Sequence, residues 1–109
     1  MEQSTYLNSV FGLTGKTILV TGAGGGIGLA ISEGLANAGA EVALCNRTVS
    51  KCQPLADRIN AAGGRATVHH LDITSLDSIR ACVDEVVKTY GKIDVLFNVA
   101  GINKREGLL

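Results

Sequence analysis

The chain has 109 residues, enough for one domain or part of one, and its ten basic and ten acidic side chains cancel to a formal net charge of zero. No Lys/Arg cluster is present, so the composition supports neither a nucleic-acid surface nor an anionic-membrane surface. Apolar residues make up 46% of the chain, yet no apolar run approaches the roughly 20 residues that span a bilayer, and with two Tyr, two Phe and no Trp the core must be aliphatic.

The opening residues Met1-Glu2-Gln3-Ser4-Thr5 offer neither a basic flank nor an apolar core, which argues against a secretory signal and for a cytoplasmic protein. Residues 1–12 read as a loosely held leader and 13–109 as the folded unit. The apolar run Thr17 to Thr21 predicts a first strand, short and apolar as in a parallel sheet buried on both faces. A glycine-rich segment follows, then a helix from Ile27 to Ala38 with Ile27, Ile31, Leu35 and Ala38 on its apolar stripe, stopped by Gly39. The side chain of Ile27 is expected in the core.

Glu41 to Cys45 predicts a second strand and about Ser50 to Ala62 a second helix, with Leu55, Ile59 and Ala62 inward and Pro54 tolerated near its first turn. Arg65 to Leu71 predicts a third strand. Ser75 is placed to cap a helix running to about Tyr90, whose apolar positions Leu76, Ile79, Val83, Val86, Val87 and Tyr90 keep a 3.6-residue period. Gly91 ends it, and Ile93 to Asn98 predicts a fourth strand. Strands alternating with helices over short links imply parallel right-handed crossovers, and so an α/β, doubly wound sheet of order 3-2-1-4 that stops after its fourth strand. That fourth strand would present an apolar edge, which predicts self-association or marginal stability of the isolated chain.

Cys45, Cys52 and Cys82 form no Cys-x-x-Cys pair and read as free, buried thiols in a reducing compartment. His69 and His70 are adjacent in a strand and point to opposite faces, so they read as ordinary strand residues rather than joint metal ligands.

Spacing decides what the glycine segment binds. The nucleotide-triphosphate pattern Gly-x-x-x-x-Gly-Lys fails, because no lysine lies between Lys16 and Lys51. Gly-x-Gly-x-x-Gly fails too, at Ile27 counted from Gly22 and at Leu29 counted from Gly24. What fits is Thr21-Gly22-x-x-x-Gly26-Ile27-Gly28, between a strand and a helix. Glycines remove the Cβ atoms that would keep a phosphate from backbone N–H groups, and the helix adds its positive dipole end at the same spot. Gly22 and Gly26 suit a tight turn approached closely by a pyrophosphate, Gly28 suits tight helix–strand packing, and Ile27 offers a main-chain amide at the helix start.

In these residues the chain resembles the amino-terminal half of the short-chain dehydrogenases/reductases. Asp72-Ile73 is similar to that family's acidic residue after the third strand, and Asn98-Val99-Ala100-Gly101 to its Asn-Asn-Ala-Gly motif, with Val99 departing at the second position. The resemblance spans roughly Leu13 to Gly101 and implies a Rossmann-type fold and an oxidoreductase that exchanges a hydride between a nicotinamide dinucleotide and a small alcohol or carbonyl. Homo-oligomers are implied as well. It further implies that Asp72 accepts a hydrogen bond from adenine, with a plain loop carboxylate as the alternative. Asn98 would tie the fourth strand to its neighbours near the adenosine ribose, or else satisfy loose backbone groups, while Ala100 and Gly101 would let the cofactor lie against the backbone.

The end of the second strand selects the cofactor. An acidic side chain there would bind the ribose 2′-hydroxyl and repel a 2′-phosphate. Asn46-Arg47 stands there instead, and a guanidinium makes charge-assisted, bidentate bonds to phosphate, which favours NADP(H) over NAD(H). A solvated surface role for Arg47 stays open, and Gly25 stands where many NADP-preferring relatives carry a basic residue. The family's Tyr-x-x-x-Lys pair has no counterpart: Tyr6 is followed four residues later by Val10 and Tyr90 by Asp94, so no residue here is assigned to catalysis. The leader from Val10 to Lys16 and the tail from Gly101 to Leu109 faintly resemble gluconate dehydrogenases. A non-catalytic nucleotide-binding or interaction module is the alternative function. A methyltransferase is disfavoured, because Asn46 replaces the acidic residue that fold uses for the ribose.

Overall fold

A computed structural model describes residues 12–99. Ala100 and Gly101, two of the expected cofactor contacts, lie outside these residues, as do the tail and all of the leader except Gly12. The described chain runs β1 (Thr17–Thr21), α1 (Gly26–Asn37), β2 (Glu41–Asn46), a 3-10 turn (Val49–Lys51), α2 (Gln53–Ala61), β3 (Ala66–His70), α3 (Leu76–Tyr90) and β4 (Val95–Asn98). The strands are parallel, in the order β3-β2-β1-β4, with Ile18 opposite Val42 on one side and Val95 on the other. This is the doubly wound order expected from the sequence.

Strand alternation divides the core in two. Ile18, Val20, Val42 and Leu44 face one way, under α1 and α2, joined by Leu55, Ala56 and Ile59. Leu19, Ala43 and Cys45 face the other way, under α3, joined by Leu71, Cys82 and Val86. The three cysteines are free and buried; the sulfurs of Cys45 and Cys82 touch at 3.5 Å between β2 and α3. His69 is buried, its ring bonded to Glu85 on one side and to the Thr67 hydroxyl on the other, while His70 is exposed.

Local signals set the ends of the elements. The Ser75 hydroxyl accepts the Ser78 N–H at 3.2 Å and caps α3, and Gly91 takes φ 85° to close it with an N–H bond to Val87 O at 2.7 Å. Pro54 sits in the first turn of α2, where its missing N–H is harmless. The 3-10 turn occupies the stretch read as the start of that helix, and Ala62, expected to point inward, is an exposed C-cap.

Two helix faces differ from the expected ones. On α1 the buried residues are Gly28 and Ser32, with Leu29, Leu35 and Ala36 packed beside them, whereas Ile27 is 72% exposed and not in the core. The helix comes close to the sheet by turning its small side chains, four residues apart, toward it. On α3, Ile79, Cys82, Val86 and Tyr90 meet the sheet, while Leu76, Val83 and Val87 are exposed. In β4, Val95, Leu96 and Phe97 are exposed as well, with β1 on one side of the strand.

Ser32 carries a consequence for stability. Its hydroxyl is fully buried and has no hydrogen-bond partner among the described residues. A buried, unsatisfied hydroxyl opposes folding. Ser32→Ala is therefore expected to raise stability by about 1 kcal/mol, read as a higher urea midpoint at unchanged m value.

Candidate functional site

A cleft of about 690 Å³ opens at the carboxyl ends of β1, β2 and β3. The glycine turn from Gly22 to Gly28 forms its floor, Asn46, Arg47 and Lys51 one wall, and Leu71 to Thr74 the other, with Val99 at the end of β4 completing it. In an open α/β sheet this is where ligands bind.

The turn is built from the strand outward. Gly22 adopts φ 66°, left-handed backbone that reverses the chain as it leaves β1. The Ala23 N–H donates to Cys45 O at 3.1 Å and straps the turn to β2. The Gly24 N–H donates to the Asn46 side-chain oxygen at 3.3 Å, and the Asn46 amide nitrogen donates to Thr48 O at 3.0 Å. One side chain thus holds the glycine turn to the segment after β2.

Glycine is required here for contact as well as for turning. A Cβ on Gly24 would lie 2.6 Å from Asn46 Nδ2 and 2.8 Å from Lys51 Cβ. A Cβ on Gly28 would lie 2.2 Å from Gly22 O and 2.9 Å from Ala23 Cα. At Gly26 a Cβ would meet nothing within 4 Å, so that glycine leaves open space on the cleft. The amino end of α1 begins at Gly25 with no side-chain cap and no acidic residue in its first turn. Its first-turn N–H groups have no intrahelical acceptor and stand at the cleft, where the helix dipole favours an anion.

Charge sits on the walls. Arg47 is 77% exposed and its guanidinium lies 3.9 Å from the Asp72 carboxylate, which links the ends of β2 and β3. The Asp72 carboxylate also accepts from the Thr74 hydroxyl at 2.6 Å and the Thr74 N–H at 3.0 Å. These bonds, with Arg47 as a lesser contributor, hold its carboxyl below the usual carboxylate value. Asp72 is thus tied within its own loop, while Ser75 caps α3. Ile73, 39% exposed, offers an apolar surface beside it.

Of the residues expected from the sequence, Gly22, Gly26, Ile27, Gly28, Asn46, Arg47, Asp72 and Ile73 are brought together on this one cleft. Asn98 is at the end of β4, where its side-chain oxygen accepts the Thr21 hydroxyl at 2.6 Å. It ties β4 to β1 and is not part of the lining, which its neighbour Val99 joins. Gly24, Lys51 and Thr74 escaped the sequence reading. Thr74 had a local signal, since Asp-x-Thr is the pattern of a side-chain-closed turn. Lys51 had none, because only the 3-10 turn folds it back onto the glycines.

Comparison with known proteins gives the family and agrees with the strand order. A family model described as short chain dehydrogenase matches residues 16–108. Gluconate 5-dehydrogenase of Gluconobacter oxydans is 38% identical over 99 residues, which cover 91% of this chain and 39% of that protein. A metagenomic short-chain oxidoreductase solved in complex with NADP superposes with a TM-score of 0.77 at 42% identity, covering 83% of this chain and 41% of the other. A 7α-hydroxysteroid dehydrogenase solved with NADH and 7-oxo glycochenodeoxycholic acid gives 0.75 at 36% identity, over 78% of this chain and 33% of the other. The chain spans about a third of the length of the curated relatives it matches. In sequence and in fold, the chain belongs to the short chain dehydrogenase family.

Proposed function

We propose that these residues form the cofactor-binding half of an NADP(H)-preferring oxidoreductase that interconverts a small alcohol and its carbonyl. The observation that carries the reading is the glycine turn: uncapped first-turn amides of α1 on an open cleft, with Gly26 leaving space and a guanidinium at the end of β2. A dinucleotide fits this donor set. Its pyrophosphate would take the amides of the turn and of α1, and its adenine would lie by Asp72 and Ile73. The ribose phosphate would take Arg47, with Asn46 adding no charge to oppose it. Asn98, Ala100 and Gly101 would support the adenosine ribose and the backbone approach beside it. The dinucleotide, when bound, supplies the hydride that the reaction exchanges.

Likeness to gluconate 5-dehydrogenase supports a sugar acid or polyol as substrate. We assign the proton-transferring groups to parts of the protein beyond these 109 residues, as the chain's small share of its relatives suggests, and expect the isolated chain to be inactive. The complete protein is expected to act as a homo-oligomer in the reducing cytoplasm, where three free buried thiols persist. No helix among the described residues is long and apolar enough to cross a membrane.

Titration of the full-length protein with NADPH and NADH tests the cofactor assignment. Tighter NADPH binding is expected, and Arg47→Met is expected to weaken NADPH by about tenfold while leaving NADH within a factor of about two. Tighter NADH binding by the unmodified protein would remove Arg47 from this role.

A further inference from the structure

Among the described residues, three ionisable side chains line the cleft: Arg47, Lys51 and Asp72. They are not equivalent. Arg47 stands 3.9 Å from Asp72, so its charge is already partly answered within the protein. Lys51 forms no ion pair among the described residues. A phosphate reaching Arg47 therefore meets a guanidinium shared with a carboxylate, and that carboxylate repels the phosphate in turn. Among the described residues, Lys51 is the cation of the cleft that no carboxylate answers.

Its position is fixed by the same contacts that shape the turn. Lys51 ends the 3-10 turn, with its N–H donating to Thr48 O at 3.2 Å. That same Thr48 oxygen accepts from Asn46, whose side-chain oxygen holds Gly24. The missing Cβ of Gly24 makes room for the Lys51 stem, whose Cβ would otherwise stand 2.8 Å away. The backbone and stem of this lysine are thus set against the glycine turn, on the cleft that Arg47 also lines.

We propose that Lys51 is a second specificity-determining residue for a 2′-phosphorylated adenosine dinucleotide, acting beside Arg47 as the cation of the cleft that has no carboxylate partner among the described residues. This rests on the NADP(H) reading above. It makes a basic residue inside the glycine turn unnecessary, since Lys51 reaches the turn from the side with Gly25 in place. A lysine is suited to the task as a compact charge on a flexible stem, whereas Arg47 supplies the planar fork.

The test uses full-length protein and four ligands: NADPH, NADH, 2′,5′-ADP and 5′-ADP, each titrated calorimetrically into wild type, Lys51→Met, Lys51→Arg and Arg47→Met. Lys51→Met is expected to weaken NADPH and 2′,5′-ADP by about tenfold with NADH and 5′-ADP within about twofold, and Lys51→Arg to restore most of the loss. Unaltered NADH binding also certifies that the variant is folded. An unchanged NADPH-to-NADH ratio in Lys51→Met, with the ratio collapsing in Arg47→Met, would overturn the role of Lys51 and leave the NADP(H) reading standing. Equal weakening of all four ligands by Lys51→Met would also overturn it, because a cation serving the shared diphosphate does not discriminate. A wild type that prefers NADH would overturn both together.

Discussion

Gly28→Ala is expected to lose about 3 kcal/mol of stability and to abolish tight dinucleotide binding in the same step. The added methyl would lie 2.2 Å from Gly22 O, a backbone atom that cannot rotate away, and 2.9 Å from Ala23 Cα. Relief requires α1 to move off the turn. That movement opens the buried face of α1 at Gly28 and Ser32, and it shifts the first-turn residues away from the cleft. Denaturation of the full-length variant should show a lower midpoint, and cofactor titration should show a loss well beyond that of Arg47→Met. Gly26→Ala is the matched control for stability: a Cβ there meets nothing within 4 Å, so it should bind cofactor less well yet melt close to wild type. Wild-type affinity and stability in Gly28→Ala would mean that close packing of Gly28 on Gly22 is needed for neither the fold nor cofactor binding.

Leu44→Ala is expected to destabilise by about 3 kcal/mol without any direct effect on the cleft. Leu44 is fully buried in β2, on the sheet face covered by α1 and α2, opposite Val20 on one side and Val68 on the other. Truncation removes side-chain burial and leaves a cavity that a central parallel strand, held from both sides, cannot collapse to fill. The same substitution at exposed Leu96 of β4, which is 62% exposed, should cost much less within these residues. Urea titrations of the two variants separate the effects, and comparable losses would contradict the assignment of the core to the β1–β2 centre.

The contrast between these positions explains how far the sequence could be read. Thr17–Thr21 emerges with the bounds expected, because a short apolar run before a glycine turn has few other readings. The strand order follows from alternation and handedness, and the glycine spacing alone places Gly22, Gly26 and Gly28 between the first strand and the first helix. Helix faces are less legible. On α1 the apolar stripe through Ile27 and Ile31 competes with the small residues Gly28, Ser32 and Ala36, and close approach to the sheet favours the small ones. On α3 the apolar period is broader than the sheet face beneath it, so Leu76, Val83 and Val87 are left outside. Lys51 and Gly24 belong to a third class: their importance lies in a contact between two segments, and no local pattern records it.

The register of β4 sets the order in which the domain can assemble. Contacts between β1 and β2 join residues 24 apart, as at Thr17 and Glu41, whereas the Thr21–Asn98 bond that closes β4 onto β1 joins residues 77 apart. Closing the longer loop costs about 1 kcal/mol more in chain entropy. During synthesis the first three strands can therefore pair while β4 is still in the ribosomal tunnel. The glycine turn is then shaped before β4 arrives to bring Val99 to its wall.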